Sequence, residues 1–179
     1  MKKFLLDFGL VFVISFIVVF IFCVCCEIDS MKIKIQFDRC VDGDTAWFWL
    51  HGKSEKVRFL GIDAPESVHP NGVVEDYGIE SSNYTCSLLM EAKSIYLEYD
   101  PSSSTRDKYN RVLGWVFVDN NNISELLLSK GYAKVDYIYG DYQYIDQLCK
   151  VQQEAYDSKL GIWNQDYDNY QDNYCFQRK

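Results

Sequence analysis

Asp42-Gly43 stands between two stretches of alternating residues, and that pattern leaves the chain little choice but a hairpin. Before the turn, Ile33, Ile35 and Phe37 alternate with Lys34, Gln36 and Asp38, the period of a half-buried strand. After it, Asp44 opens a second strand over 45–50, and His51-Gly52-Lys53-Ser54 turns the chain into a third over 55–62. Three short antiparallel strands in a row point to a meander, not to alternating strands and helices.

The third strand ends in charge. Val57-Arg58-Phe59-Leu60-Gly61-Ile62-Asp63-Ala64-Pro65-Glu66 is an apolar strand with a cation near its start and two carboxylates around a proline at its end. Val, Phe, Leu and Ile suit a pleated, buried surface, whereas Arg58, Asp63 and Glu66 need charged partners there. Counted outward from the second turn, antiparallel register sets Asp44 opposite 61–63, so the hairpin is expected to bring Asp44 and Asp63 together. Strict alternation puts Arg58 and Asp63 on opposite faces, so the strand must bend if they share a site, and Gly61 is the place for it.

Further along, the spacing predicts a loop over 67–74, a helix over 77–90 and a strand over 94–99. A mobile serine-rich loop is expected over 100–108, followed by a strand over 111–118. A turn over 119–122, a short helix over 123–130 closed by Gly131, an extended tyrosine-rich stretch over 133–139 and a helix over 144–159 complete the order. The last helix is expected to bury Ile145, Leu148, Val151 and Ala155 and to stop at Gly161. The expected fold is α+β: a five-stranded OB-fold barrel with three helices, preceded by a hydrophobic leader or anchor helix. The expected boundaries are a signal peptide or membrane anchor over 1–30, one domain over 31–163 and a loose polar tail over 164–179.

Met1-Lys2-Lys3 followed by an apolar run over 8–26 predicts export, and an uncleaved anchor is slightly favoured because no small-x-small cleavage site stands out. The domain is therefore expected outside the cytoplasm, secreted or held at the membrane. Cys40, Cys86, Cys149 and Cys175 lack zinc-site spacing, and as disulfides or as free thiols they stay unassigned. With His51 and His69 the only histidines, one in a turn and one before a proline, no histidine nucleophile or histidine metal site can be assembled. A net charge of -8 argues against tight, nonspecific polyanion binding through a broad basic face, although a bound cation and a few arginines can reverse the potential locally.

Taken together, Val41-Asp42-Gly43-Asp44-Thr45, the 57–66 stretch and Arg106-Asp107-Lys108-Tyr109-Asn110-Arg111 resemble the signature blocks of the staphylococcal-nuclease-like (thermonuclease) family. The resemblance continues through His69-Pro70, Glu75-Asp76-Tyr77-Gly78, 131–135, 137–139 and Leu160-Gly161-Ile162-Trp163. It implies a calcium-dependent phosphodiesterase, monomeric, acting on DNA and RNA, preferably single-stranded, and leaving 3′-phosphates. On this resemblance Asp44, Asp63 and the Ala64 carbonyl hold Ca²⁺, and Glu66 activates water. Arg58 and Arg111 clamp the phosphate, while Lys108, Tyr109, Tyr137 and Tyr139 contact substrate. Asp42 is left between turn chemistry and a site role.

Ala64 replaces a threonine of the best-known member, which matters little to a backbone carbonyl, and Asn110 replaces a common glycine but tolerates a left-handed turn. The competing readings are a catalytically silent nuclease-like module that binds nucleic acid or protein, and a membrane-anchored scaffold. The complete charged set disfavours the first.

Overall fold

The computed structural model describes residues 32–67, 74–164 and 173–177. The expected leader, the His69-Pro70 pair and most of the tail lie outside the described residues. Among the described residues no helix is long and apolar enough to cross a membrane.

Strands β1 (Ile33–Cys40), β2 (Thr45–Leu50) and β3 (Lys53–Phe59) form the expected meander. A bulge between Phe37 and Arg39 lets β1 serve two partners, with Gln36 to Cys40 pairing β2 and Ile33 to Ile35 pairing β5 (Ile95–Glu98). β5 pairs in turn with β6 (Val112–Val118), and β6 runs parallel to β3, with Val57 opposite Val112. That last pairing closes the sheet into a five-stranded OB barrel. Alternation along β2 and β3 fills its interior with Ala46, Phe48, Val57 and Phe59, which meet Leu97, Trp115 and Val116 from β5 and β6.

The third strand is shorter than its sequence pattern predicts. β3 ends at Phe59, Leu60 and Gly61 turn with Gly61 at φ +75°, and Ile62–Asp63 leaves as β4. The continuous apolar run disguised this break, because Ile62 is buried against a different partner, β8 (Lys134–Val135). At Gly61 a side chain would press on Leu148 and Trp115, so only glycine combines the positive φ with this close approach.

Helix α1 (Gly78–Glu91) lies over the first turn, where the Thr85 hydroxyl donates to the Gly43 carbonyl at 2.6 Å. A short β7 (Asn121–Asn122) pairs with β6 and leads into α2 (Ile123–Ser129), whose first turn is capped by Asn122, accepting from the Ser124 N–H at 3.0 Å. Helix α3 (Ile145–Asp157) buries Ile145, Leu148 and Ala155 as expected, while Val151 is only half-buried against the core. Between them it also buries Gln152, whose carbonyl accepts from the Val135 N–H at 2.6 Å while its amide donates to Asn173 at 2.9 Å.

Two further expectations are corrected. The 100–108 segment is tied down by the buried Asp100, which accepts from the Ser102 N–H at 2.8 Å, the Trp115 indole at 2.9 Å and the Gln143 N–H at 2.9 Å. The end of the tail is not loose: Asn173 is buried, and Tyr174–Gln177 forms a short helix, α4. Cys175 within it is joined to Cys149, and a second disulfide links Cys40 of β1 to Cys86 of α1.

Candidate active site

The site forms where the meander, the β4 break and the 106–111 turn converge. In the first turn the Asp44 N–H donates to Asp42 Oδ1 at 3.1 Å and the Asp42 N–H to the Thr45 carbonyl at 3.2 Å. The β2–β3 register then sets Thr45 opposite Arg58 and brings the Phe59 N–H to the Asp44 carbonyl at 2.8 Å. Asp44 therefore faces Phe59, not 61–63, because the second turn closes between Leu50 and Lys53. Asp44 and Asp63 still meet, but through Arg58 and the turn at Gly61. The Asp44 carboxylate accepts from the Ala64 N–H at 2.9 Å and pairs with Arg58 Nη1, while Arg58 Nη2 lies 3.2 Å from Asp63 Oδ1.

Arg58 is only 8% exposed. Burial pulls its guanidinium down from its ordinary value; Asp63 opposes this, Arg111 adds to it and Asp42 opposes it. A guanidinium starts so high that it stays charged. The carboxylates around it are crowded. Burial raises Asp42, against Arg58, and raises Asp63, against Arg58 and Lys134. Glu66, at the exposed rim, is raised by partial desolvation and then by Asp42, Glu75 and Asp63. Its backbone is fixed by Glu75, whose carboxylate accepts the Glu66 N–H at 3.0 Å.

Arg111 is aimed by the turn that precedes it. Asp107 accepts from the backbone N–H groups of Tyr109 and Arg111, each at 2.9 Å, and from Arg111 Nε at 2.6 Å. Asn110 supplies the left-handed residue at φ 64°. With Nε so used, the terminal nitrogens of Arg111 make no other hydrogen bond or ion pair among the described residues.

Lys108 and Arg111 both lie near the Tyr109 ring, at 5.0 and 5.6 Å from its centre. Across the cavity, Tyr137 and Tyr139 are exposed, and Arg58 lies 5.4 Å from the Tyr137 ring. A cavity of about 800 Å³ is lined by Asp42, Asp44, Arg58, Asp63, Glu66, Lys108, Tyr109, Arg111, Tyr137 and Tyr139. Ala64 backs it through its bond to Asp44.

Two participants escaped the sequence reading, and a third was left open by it. Asp107 orients Arg111, and its signal was the i, i+4 spacing of opposite charges. Lys134 reaches Asp63 at 3.5 Å because β4 and β8 pair Asp63 with Lys134, and nothing in a two-residue strand announces that. Asp42, left open above, lines the cavity as well as shaping the turn.

The arrangement is an OB barrel with two guanidinium groups and a cluster of carboxylates facing one open cavity, the layout of a protein that handles an anionic, oxygen-rich ligand. A family model described as "Staphylococcal nuclease homologue" matches residues 56–165. The chain is 41% identical over 133 residues to the SPbeta prophage-derived endonuclease YokF of Bacillus subtilis, covering 74% of this chain and 44% of that protein. It is 40% identical to endonuclease YncB of the same organism, covering 74% and 62%. To the thermonuclease of Staphylococcus hyicus it is 34% identical over 126 residues, covering 70% and 73%. The chain thus spans about half of the first two relatives and nearly three-quarters of the third. It belongs to the staphylococcal nuclease homologue family.

Proposed function

We propose that this protein is a metal-dependent phosphodiesterase that hydrolyses DNA and RNA, preferably single-stranded, as an exported or membrane-anchored enzyme. The observation that carries this reading is the convergence of Arg58 and Arg111 with Asp44, Asp63 and Glu66 on one cavity. The relatives' names, two endonucleases and a thermonuclease, support it.

In this reading Arg58 and Arg111 grip the non-bridging oxygens of the scissile phosphate and offset the charge that grows on five-coordinate phosphorus. Glu66 takes a proton from the attacking water as its oxygen bonds to phosphorus. The P–O5′ bond breaks, the departing oxygen is protonated, and the products are a 3′-phosphate and a 5′-hydroxyl.

The donor set suits a hard divalent cation. Carboxylate oxygens of Asp44 and Asp63 with the Ala64 carbonyl are the hard oxygen ligands calcium prefers, and Asp44 and Asp63 are brought together around Arg58 at the cavity wall. Among the described residues no group of three or more His, Cys, Asp or Glu side chains is arranged to hold a metal ion, so an ion there would need backbone and water ligands beside these two carboxylates. Bound there, calcium would supply Lewis-acid stabilisation of the phosphate charge. The two disulfides, Cys40–Cys86 and Cys149–Cys175, support an oxidising compartment.

The test is degradation of single-stranded DNA and RNA by the purified protein with calcium or chelator, beside Arg58→Ala and Glu66→Ala. Calcium-dependent cleavage that both substitutions abolish is expected. A folded protein inert over a range of calcium and pH would end the catalytic reading.

A further inference from the structure

The outer face of β2 carries two tryptophans. Ala46, Phe48 and Leu50 point into the barrel, so Trp47 and Trp49 point out, and Trp49 is 48% exposed. Trp47 stands in a row set by register, with Arg39 opposite it on β1 and Lys56 opposite it on β3. Their charged ends lie 4.3 and 5.3 Å from its ring centre.

Beside this row a second cavity, about 490 Å³, is lined by Trp47, Glu55, Lys56, Tyr109, Asn110 and Arg111. It shares Tyr109 and Arg111 with the candidate active site, so the two cavities adjoin at the exposed Tyr109. Arg39 does not line it, whereas Lys56, whose charged end lies over the Trp47 ring, does. The groove's one carboxylate, Glu55, is spent: Arg106 grips both its oxygens, at 2.9 and 3.0 Å. The charges left to meet a ligand are Lys56 and Arg111.

We propose that this groove is a second nucleotide subsite, which takes the continuation of a single strand out of the active site. A base takes the place of the Lys56 side chain over the Trp47 ring, and Lys56 swings aside to meet the adjoining phosphate. The proposal rests on the nuclease reading and adds to it a determinant of substrate length. Continuity with the catalytic cavity, a neutralised carboxylate and an aromatic ring already paired with cations select a nucleic-acid strand over a protein segment. Stacking is also sequence-tolerant, and paired bases of a duplex present no open face to Trp47.

The test uses the full chain with calcium and compares a two-nucleotide and a twelve-nucleotide oligothymidylate as substrates for wild type, Trp47→Ala and Lys56→Gln. Trp47→Ala is expected to raise KM for the longer substrate roughly five- to tenfold, the loss of one stacked base, with kcat unchanged. The shorter substrate, which ends before the groove, should change less than twofold, and that rate also reports an intact fold. Lys56→Gln should raise KM for the longer substrate alone by a smaller factor, and this stands even where Trp47→Ala does not fold. Equal KM changes at both lengths, or none in either variant, would overturn the subsite and leave the nuclease standing; that is the result if a protein or a second copy occupies the groove. If wild type cuts neither substrate, the nuclease reading and the subsite fall together.

Discussion

At the scale of single residues, Arg58 is where the chemistry is most exposed to test. It is buried between Asp44 and Asp63, so a lysine keeps the charge but not the planar fork that spans two partners. Arg58→Lys should lower kcat roughly 10²–10³-fold, with the folded state retained by circular dichroism; a loss below tenfold would mean that Arg58 is not the phosphate clamp. Glu66 offers a second test through pH. Partial desolvation and the neighbouring Asp42, Glu75 and Asp63 charges raise it above the ordinary glutamate range. A base must be ionised, so kcat/KM should fall as pH drops through that raised value. Calcium beside it favours the ionised form, and the acid limb should therefore move to lower pH as calcium is increased. In Glu66→Gln the residual rate, roughly 10²–10⁴ lower, should lack this limb. A limb that persists in the variant would assign the ionisation to another group, Asp63 or Asp42.

Elements decide whether those residues point the right way. The 106–111 turn aims Arg111 by placing Asn110 at φ 64° and by four hydrogen bonds made by the Asp107 and Arg106 side chains. Asn110→Gly should keep activity within about twofold, while Asn110→Val, branched at a left-handed position, should cost about 1–2 kcal/mol of stability and reduce kcat more than it raises KM. If both variants behave alike, the backbone at this position is not what orients Arg111. The Cys40–Cys86 bridge, closing 46 residues, ties β1 to α1 above the Asp42 turn. Replacing both cysteines by serine should cost roughly 2–4 kcal/mol, read as a lowered denaturation midpoint, and somewhat more than removal of Cys149–Cys175, which closes only 26 residues. These elements also show what a sequence can and cannot disclose. Alternation and Asp-Gly marked the meander, and helical spacing marked α1, α2 and α3, because each is a local pattern. The charged set of the site was legible for the same reason, as short blocks in a fixed order. What escaped is non-local: the end of β3 at Phe59 was hidden because Ile62 is buried in either arrangement, and β8 pairs with β4 across most of the domain. Gln152 and Asn173 carry no local signal of burial, and only the fold brings them to Val135.

The whole molecule carries a charge of -8, which makes an unusual host for a polyanion. Its long-range field would repel a nucleic-acid strand, so on the proposed function attraction is short-range: from Arg58, Arg111 and Lys108, from a cation that Asp44 and Asp63 would hold, and from the aromatic surfaces of Tyr109, Tyr137 and Trp47. Counterion release scales with the number of phosphates neutralised, with a slope near -0.7 for each contact to a single strand. Three basic side chains then give a slope of about -2 in log affinity against log salt, and Lys56 would bring it to about -3. A broadly cationic protein making six to ten contacts would show roughly -4 to -7. Removing calcium should weaken binding at every salt concentration, because the repulsion of the crowded carboxylates is then unopposed. The check is a salt titration of binding by the Glu66→Gln protein to a fluorescent twelve-nucleotide strand, with calcium and with chelator. A slope between -2 and -3 with calcium, and weaker binding in chelator across the range, would fit short-range recognition. A slope steeper than -4 would mean that basic residues beyond this cavity and its groove form an extended track, and the division of labour between charge and stacking argued for this acidic barrel would be wrong.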